Sequence, residues 1–370
     1  MNGGRIGPPG GFSGERKRVK FVRTSPTALL GVDISSTAIK LLQLSRTGDR
    51  YRVEHYAVEP LPANAVVEKS VVEIDQVADA IRRAAERSGS KSRTAAAAVA
   101  GSSVITKLIP MPADLSEDEL EAQVELEAAN YIPYPIDEVN IDFNTLGAMP
   151  GAADMQQVLL VAARADDVGA RQSALEIAGL KAQVMDVEAF AIENAFELMQ
   201  PSLNIPAGGL VALVDIGASM TTLNILRDGR SLYAREQVFG GRQLTEEIMR
   251  RYGLTYEEAG RAKRLGGLPE SYDYEVLEPF RETLAQQVSR LLQFYYASSE
   301  YNRVDQIVLS GGCASIPGIA QQVEEQLGVP TVVANPLAQM TLGPRVQAQA
   351  LAQDAPALMI ACGLALRSFD

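Results

Sequence analysis

Two carboxylates, Asp33 and Asp215, stand in near-identical settings and define what chemistry this chain can do. The first lies in Leu30-Gly-Val-Asp33-Ile-Ser-Ser-Thr-Ala-Ile-Lys-Leu41, the second in Leu213-Val-Asp215-Ile-Gly-Ala-Ser-Met-Thr-Thr-Leu-Asn-Ile225. Each copy reads as an apolar strand, a tight turn of small residues and a second apolar strand. Ser35, Ser36 and Thr37 form one turn; Gly217, Ala218 and Ser219 form the other. Small side chains leave backbone amides open to an anion. An aspartate at the strand end suits hydrated Mg2+, which keeps several waters and takes one or two carboxylates besides phosphate oxygens. Two such hairpins facing each other would grip Mg-ATP, with Asp33 and Asp215 reaching the metal through water.

A third motif, Gln306-Ile-Val-Leu-Ser-Gly-Gly-Cys-Ala-Ser-Ile-Pro-Gly318, reads as a buried strand running through a glycine pair into a helix. Gly311 and Gly312 would let a ligand approach the backbone near a helix start that favours negative charge. Many strand-to-helix turns carry glycine, so this signal gains weight only from the two hairpins before it.

Composition removes other chemistries. The chain has 370 residues, 46% of them hydrophobic, with net charge −12. That length suits two ordinary domains, and the acidic balance disfavours nucleic acid as a general partner. Cys313 and Cys362 form no CxxC pair and read as reduced thiols. His55, the single histidine, sits in the alternating run Tyr51-Arg-Val-Glu-His-Tyr56. It reads as a strand residue, so a serine triad or histidine-rich zinc site is nearly excluded. Ser88-Gly-Ser-Lys-Ser92 only mimics the tail of a Walker loop. No segment reaches the length of a membrane span. Residues 1–26 carry Arg5, Arg16, Lys17, Arg18, Lys20 and Arg23 against Glu15, and read as a flexible basic tail.

The elements around these motifs alternate. Asp75 is expected to cap a helix with Val77, Ile81, Ala84 and Ala85 on one face, closed near Gly89. A small-residue strand follows at 94–101. The texture then changes: a strand from Val104, an acidic helix with a Ser116/Glu119 capping box and a Leu115/Leu120 staple, and two more strands. That helix is expected to bury Leu120, Val124 and Tyr131. Helix and strand alternation resumes through 166–198, where Glu188 opens a helix. Gly240-Gly241 introduces a helical module, in which Thr255 and Glu258 form another box, Lys263 lies near the helix end and Gly266-Gly267 closes it. A long helix spans about 279–299. In the closing helix, Ala357, Ala361 and Ala365 form a flat face suited to close packing or to a hinge.

Taken together, these segments resemble the actin-like ATPase superfamily over about 27–370. Closer matches resemble the PilM family, the cytoplasmic actin-like proteins of type IV pilus assembly. They are Gly31-Val-Asp-Ile-Ser-Ser-Thr37, Tyr131-Ile-Pro-Tyr-Pro135, Phe239-Gly-Gly-Arg-Gln-Leu-Thr-Glu-Glu-Ile248, Tyr256-Glu-Glu-Ala259 and Asp354-Ala-Pro-Ala-Leu-Met-Ile-Ala-Cys-Gly-Leu-Ala365. The resemblance implies an α/β, actin-like, ribonuclease H-like duplicated fold of two lobes with an FtsA-like inserted subdomain. Its expected parts are a first lobe (27–91, 165–205 and 353–370) and an inserted subdomain (92–164). A second lobe (206–240 and 301–352) and a helical capping subdomain (241–300) complete the chain.

The resemblance also assigns roles. Asp33, Ser35, Ser36, Thr37 and Lys40 would face the β- and γ-phosphates of ATP, although Lys40 also reads as a solvent-facing strand lysine. Asp215, Gly217, Ala218 and Ser219 would hold the other side and a water of Mg2+. Gly311, Gly312, Ser315 and Ile316 would meet adenosine and the α-phosphate. Gly240, Gly241 and Lys263 match the ribose and adenine side; Lys263 equally suits a helix C-terminus. Gly260 stands where broader actin-like proteins often place glutamate, which puts a ribose contact in doubt. Glu188 matches a water-orienting acid and equally suits a cap or charge partner. The fold can turn ATP over slowly or only bind it to fix the lobe angle. The implied partner is the N-terminal cytoplasmic segment of PilN, within the pilus inner-membrane complex, docked in a groove beside the inserted subdomain. The implied location is cytoplasmic and peripheral at the inner membrane through partners. Two other readings stay open. An FtsA-like division tether is expected to add an amphipathic helix, whereas Arg367-Ser-Phe-Asp370 directly follows the closing helix; a metabolic kinase would need a substrate pocket that no motif marks.

Overall fold

The computed structural model describes residues 28–149 and 151–370, so the basic tail expected at 1–26 lies outside the described residues. The described chain forms two compact units. One holds the residues up to Asn194 with Met340–Val346 and Ile360–Asp370; the other holds Ala195–Gln339 and Gln347–Met359.

The first unit is built on a six-stranded sheet. Leu30–Ile34, Ala38–Thr47 and Arg50–Pro60 run as an antiparallel meander. Thr94–Val99 and then Lys181–Val187 join in parallel on the other side of Leu30–Ile34. All five residues of Leu30–Ile34 are buried, the apolar run expected of a strand covered on both faces. The helix Ile74–Ser88 packs a stripe of Val77, Ile81, Ala84 and Ser88 inward. It starts after Glu73, with Asp75 in its first turn rather than at its cap, and Gly89 ends it at φ 70°. Thr94–Val99 is a strand of this main sheet, so the inserted block starts after it and not at 92.

The inserted block is a separate three-stranded sheet of Val104–Pro112, Ala152–Arg164 and Val139–Met149, with the helix Glu117–Ala128 beside it. It has its own core, in which Ile109, Met111, Leu120, Val124, Ile132, Val158 and Leu160 meet. Ser116 and Glu119 form the expected reciprocal cap. The helix stops at Ala128, so the inward position falls to Ile132, and Tyr131 stays 39% exposed.

The second unit repeats the first. Its five-stranded sheet runs Arg230–Gln237, Thr221–Arg227, Leu210–Ile216, Gln306–Ser310, Thr331–Val333. The meander of three and the two parallel strands follow the same order as in the first unit. Its core is completed by Gly241–Tyr252, Tyr256–Leu265 and the long helix Glu278–Ser298, which buries Leu284, Val288, Leu291, Leu292 and Tyr295. The strand Arg230–Gln237 went unread in the sequence, although Asp228-Gly229 marks its two-residue turn.

The closing stretch Ala348–Phe369 runs helical for 22 residues and passes for a membrane span by length and composition. Yet 61% of its apolar window is buried in the protein, as in a core helix. Its small residues serve close packing. A methyl group on Gly31 would overlap the Ala361 carbonyl and the Ala365 backbone, and one on Gly363 would overlap the Ala191 carbonyl. Gly31 pairs in register with Ala96, so that face of the sheet is shallow enough to receive a helix backbone. Residues 195–205 and 353–359, expected with the first half, belong to the second unit, and Met340–Val346 belong to the first. The reason in the last case is Thr341–Leu342, which pairs with Arg52 and Val53 at the sheet edge.

Asp186, fully buried at the end of Lys181–Val187, accepts from its neighbour's amide, Val187 N, and lies 3.4 Å from Arg367 Nε. Burial outweighs that cation and pushes its carboxyl up to about 7.

Gly363→Ala is expected to cost at least about 2 kcal/mol in denaturant unfolding, because backbone must move. Gly260→Ala, with nothing within 4 Å of its new methyl group, is expected to be neutral or gain up to about 1 kcal/mol. Asp186 binds its proton more tightly folded than unfolded. Its contribution is therefore full below about pH 4 and lost as pH rises through about 7. Asp186→Asn should abolish that slope, up to about 1.4 kcal/mol per pH unit, in unfolding curves compared between pH 4 and pH 8.

Candidate functional site: paired hairpins

Both aspartates occupy the same place in their hairpins. Asp33 pairs across its ladder with Lys40, and Asp215 with Thr222. Both turns close with the same bond: Ser35 N donates to the Ala38 carbonyl at 3.1 Å, and Gly217 N donates to that of Met220 at 2.9 Å. The duplication seen in the sequence is thus a duplication of backbone geometry. The side chains facing the two aspartates differ.

In the first unit the site is ionic. Lys40 Nζ donates to Asp33 Oδ2 at 2.7 Å. Asp33 is 2% exposed and the Lys40 side chain 14%, so the solvent-facing alternative for Lys40 is wrong; the cross-strand register turns it onto the aspartate. Ser35 turns its hydroxyl onto the Ala38 carbonyl at 2.8 Å, and Thr37, exposed at the tip, accepts from Leu61 N through its carbonyl. Ser36 stands half-buried beside it.

Glu188, first residue of the helix Glu188–Glu197, is buried and bonded to Lys69 Nζ at 2.7 Å. Burial alone would raise its carboxyl. The Lys69 ammonium, with Arg171 and Lys40 behind it, more than offsets that and holds it below the usual carboxylate range. Arg171 is 1% exposed, bonded to the carbonyls of Lys69 and Asp167, and feels the charges of Glu188, Asp167 and Asp33. Sequence reading found Asp33, Lys40 and Glu188 and missed Lys69 and Arg171. The signal for Lys69 was a two-residue turn between Val66–Val67 and Ser70–Val71, masked because it holds Glu68 and Lys69 in place of glycine.

In the second unit the site is close-packed, and its aspartate meets a hydroxyl in place of an ammonium. Ser310 Oγ donates to Asp215 Oδ1 at 2.9 Å. Gly311, at φ 85°, lies against Ile216, where any Cβ would overlap backbone. Gly240 lies against Gly217 and Ala218: a Cβ would stand 2.7 Å from the Ala218 carbonyl. The Gly241 and Arg242 amides donate to the carbonyls of Gly217 and Ala218. Ser219 completes this turn, half-buried. Lys263 Nζ donates to the Gly241 carbonyl at 3.0 Å and the Thr245 hydroxyl at 2.8 Å, bracing the glycine pair from beneath. Burial lowers its pKa. Cys313 donates to the Gly217 carbonyl, and burial pushes its thiol up to about 11. Thus Asp215, Gly217, Ala218, Gly240, Gly241, Lys263 and Gly311 converge, together with Ser310, Thr245 and Cys313, which the sequence did not single out.

The glycine pair does not lead straight into a helix. Gly312–Ser315 forms a short 3-10 turn, and the helix Ile319–Leu327 begins only after Gly318. Ser315 Oγ donates to the Gln353 carbonyl, and Ile316 packs against the second unit's core. Gly312 has open space where a Cβ would stand.

The chemistry of each unit, taken by itself, fits part of a magnesium nucleotide: a carboxylate before a tight turn, with a lysine on Asp33 in the first unit and glycines packed against the turn after Asp215 in the second. Among the described residues no cluster of three His, Cys, Asp or Glu side chains could hold a metal by itself.

Comparison with known proteins places the chain. The family profile described as "Type IV pilus assembly protein PilM" matches residues 31–369. The solved "PilM-PilN type IV pilus biogenesis complex" is similar at a TM-score of 0.76 and 29% identity, covering 93% of this chain and 99% of that one. The ethanolamine utilization protein EutJ of Carboxydothermus hydrogenoformans shares the fold at a TM-score of 0.53 and 17% identity, covering 91% and 89%. Cell division protein FtsA of Bacillus subtilis (strain 168) is 24% identical over 352 residues, 83% of this chain and 78% of that protein. The chain belongs to the PilM family of type IV pilus assembly proteins, built on the duplicated actin-like ATPase fold.

Proposed function

We propose that this chain is a cytoplasmic, ATP-binding scaffold of the type IV pilus inner-membrane complex that engages the N-terminal cytoplasmic segment of PilN. The observation that carries the nucleotide part is the register: Asp33 and Asp215 stand at equivalent positions of two hairpins closed by the same turn bond. In this reading Asp33 and Asp215 hold waters of Mg2+, and Lys40 with the Ser35–Thr37 turn takes the β- and γ-phosphates. Gly217–Ser219 takes the other side. Gly240, Gly241, Gly311 and Gly312 admit the nucleoside, and Lys263 supports that surface from within.

The partner part rests on similarity to the solved PilM-PilN complex. Apolar groups on the inserted subdomain also support it: Leu126 is 69% exposed, and Tyr131, Tyr134 and Ile136 follow it at the surface. Exposed apolar groups close together mark protein contacts more often than single ones do. Membrane association then comes through the partner.

Calorimetric titration tests both parts. Mg-ATP is expected to bind the wild type and to bind Asp33→Ala and Asp215→Ala at least about tenfold more weakly, the worth of one charge-assisted contact. A synthetic peptide of the PilN N-terminal segment is expected to saturate, with an affinity that shifts when Mg-ATP is present. Unchanged nucleotide binding in both variants would overturn the metal assignment, and a peptide that never binds would overturn the partner.

A further inference from the structure

Among the described residues, two hairpins turn in two residues with left-handed backbone at both. Between Arg227 and Arg230 the pair is Asp228-Gly229, at φ 50° and 77°, the composition such a turn favours. Between Val67 and Ser70 the pair is Glu68-Lys69, at φ 48° and 67°. Left-handed backbone costs an L residue with a Cβ of this size, and strain of this kind is held where surrounding structure over-determines it. Here that structure is visible. The Lys69 carbonyl accepts from Arg171, a guanidinium buried to 1%, and the Lys69 ammonium lies 2.7 Å from Glu188. The turn therefore sacrifices backbone ease to deliver one cation to one buried carboxylate.

Glu188 also feels Lys40, which is bonded to Asp33. Lys69 thus stands in the charge cluster of the first phosphate hairpin. An ammonium has three donors and a flexible stem, and it exchanges readily between carboxylate and phosphate oxygens. We propose that Lys69 is a releasable lock on Glu188: it neutralises that carboxylate and exchanges it for the terminal phosphate of a nucleoside triphosphate when one binds. This rests on the ATP-binding reading above. Release leaves Glu188 as an acceptor able to orient water, and it frees the hairpin at 66–71 from its anchor. Lys69 is accordingly a sensor of the third phosphate.

The ratio of ATP to ADP affinity isolates this role. Both nucleotides bind the same free state, so any structural damage there cancels in the ratio. Mg-ATP and Mg-ADP are titrated against the wild type, Lys69→Met and Lys69→Gly, the last easing the turn while removing the ammonium. In the two variants ATP should lose about tenfold of its preference over ADP. Hydrogen exchange at 65–72 should differ between ATP and ADP in the wild type and not in the variants. An unchanged ratio with unchanged exchange would overturn the lock while leaving ATP binding intact. A wild type that binds neither nucleotide would overturn the ATP reading and the lock with it. If Lys69→Met does not fold, Lys69→Gly decides, since its backbone suits the turn.

Discussion

The close seat of the closing helix is the constraint on which the first unit depends. Gly31 and Gly363 let it approach within distances that no methyl group would allow. Gly31 belongs to the strand that carries Asp33, and Ala191, against which Gly363 rests, belongs to the helix that begins with Glu188. One backbone contact on each side therefore fixes the two acids of this half-site relative to one another. Close packing transmits such a constraint because interiors tolerate little change of volume.

The duplicated halves show how one backbone plan supports two kinds of electrostatics. Asp33 meets a lysine across its ladder, and Asp215 meets threonine across its ladder and a serine hydroxyl from the neighbouring parallel strand. The first half gathers charge: Asp33, Lys40, Lys69, Arg171 and Glu188. The second gathers glycine and backbone, with Lys263 turned inward as a brace. Asp186 and Glu188, two residues apart and both buried, are driven in opposite directions because only Glu188 has an ammonium bonded to it.

Much of this was legible in the sequence, and the reason is local. The hairpins repeat because their turns need small residues, and the capping boxes at Ser116 and Thr255 announce helix starts through fixed three-residue spacing. What escaped reading depended on distant pairing. Thr94–Val99 looked continuous with the inserted block and belongs to the main sheet, because alanine strands carry no face preference to read. Lys40 and Lys263 were ambiguous in sequence; register turns Lys40 onto Asp33, and helix packing brings Lys263 to the Gly241 carbonyl. Lys69 and Arg171 were missed: Lys69 comes to Glu188 from 119 residues away, and Arg171 lies on a separate helix.

Thr341–Leu342, an edge strand of only two residues, has a consequence for how the protein is made. The chain leaves the second unit to lay this strand beside Arg52 and Val53, returns to the second unit, and then supplies the closing helix to the first. Leu29 N is bonded to Ser368 Oγ, almost the whole described length away. A ribosome delivers the first sheet well before the helix that covers it, so the first unit stays an open, unfinished surface until residues 340–370 have been made. Such long-range closure slows folding and leaves apolar strands waiting. The second unit, largely continuous from 195 to 339, is the part able to fold first.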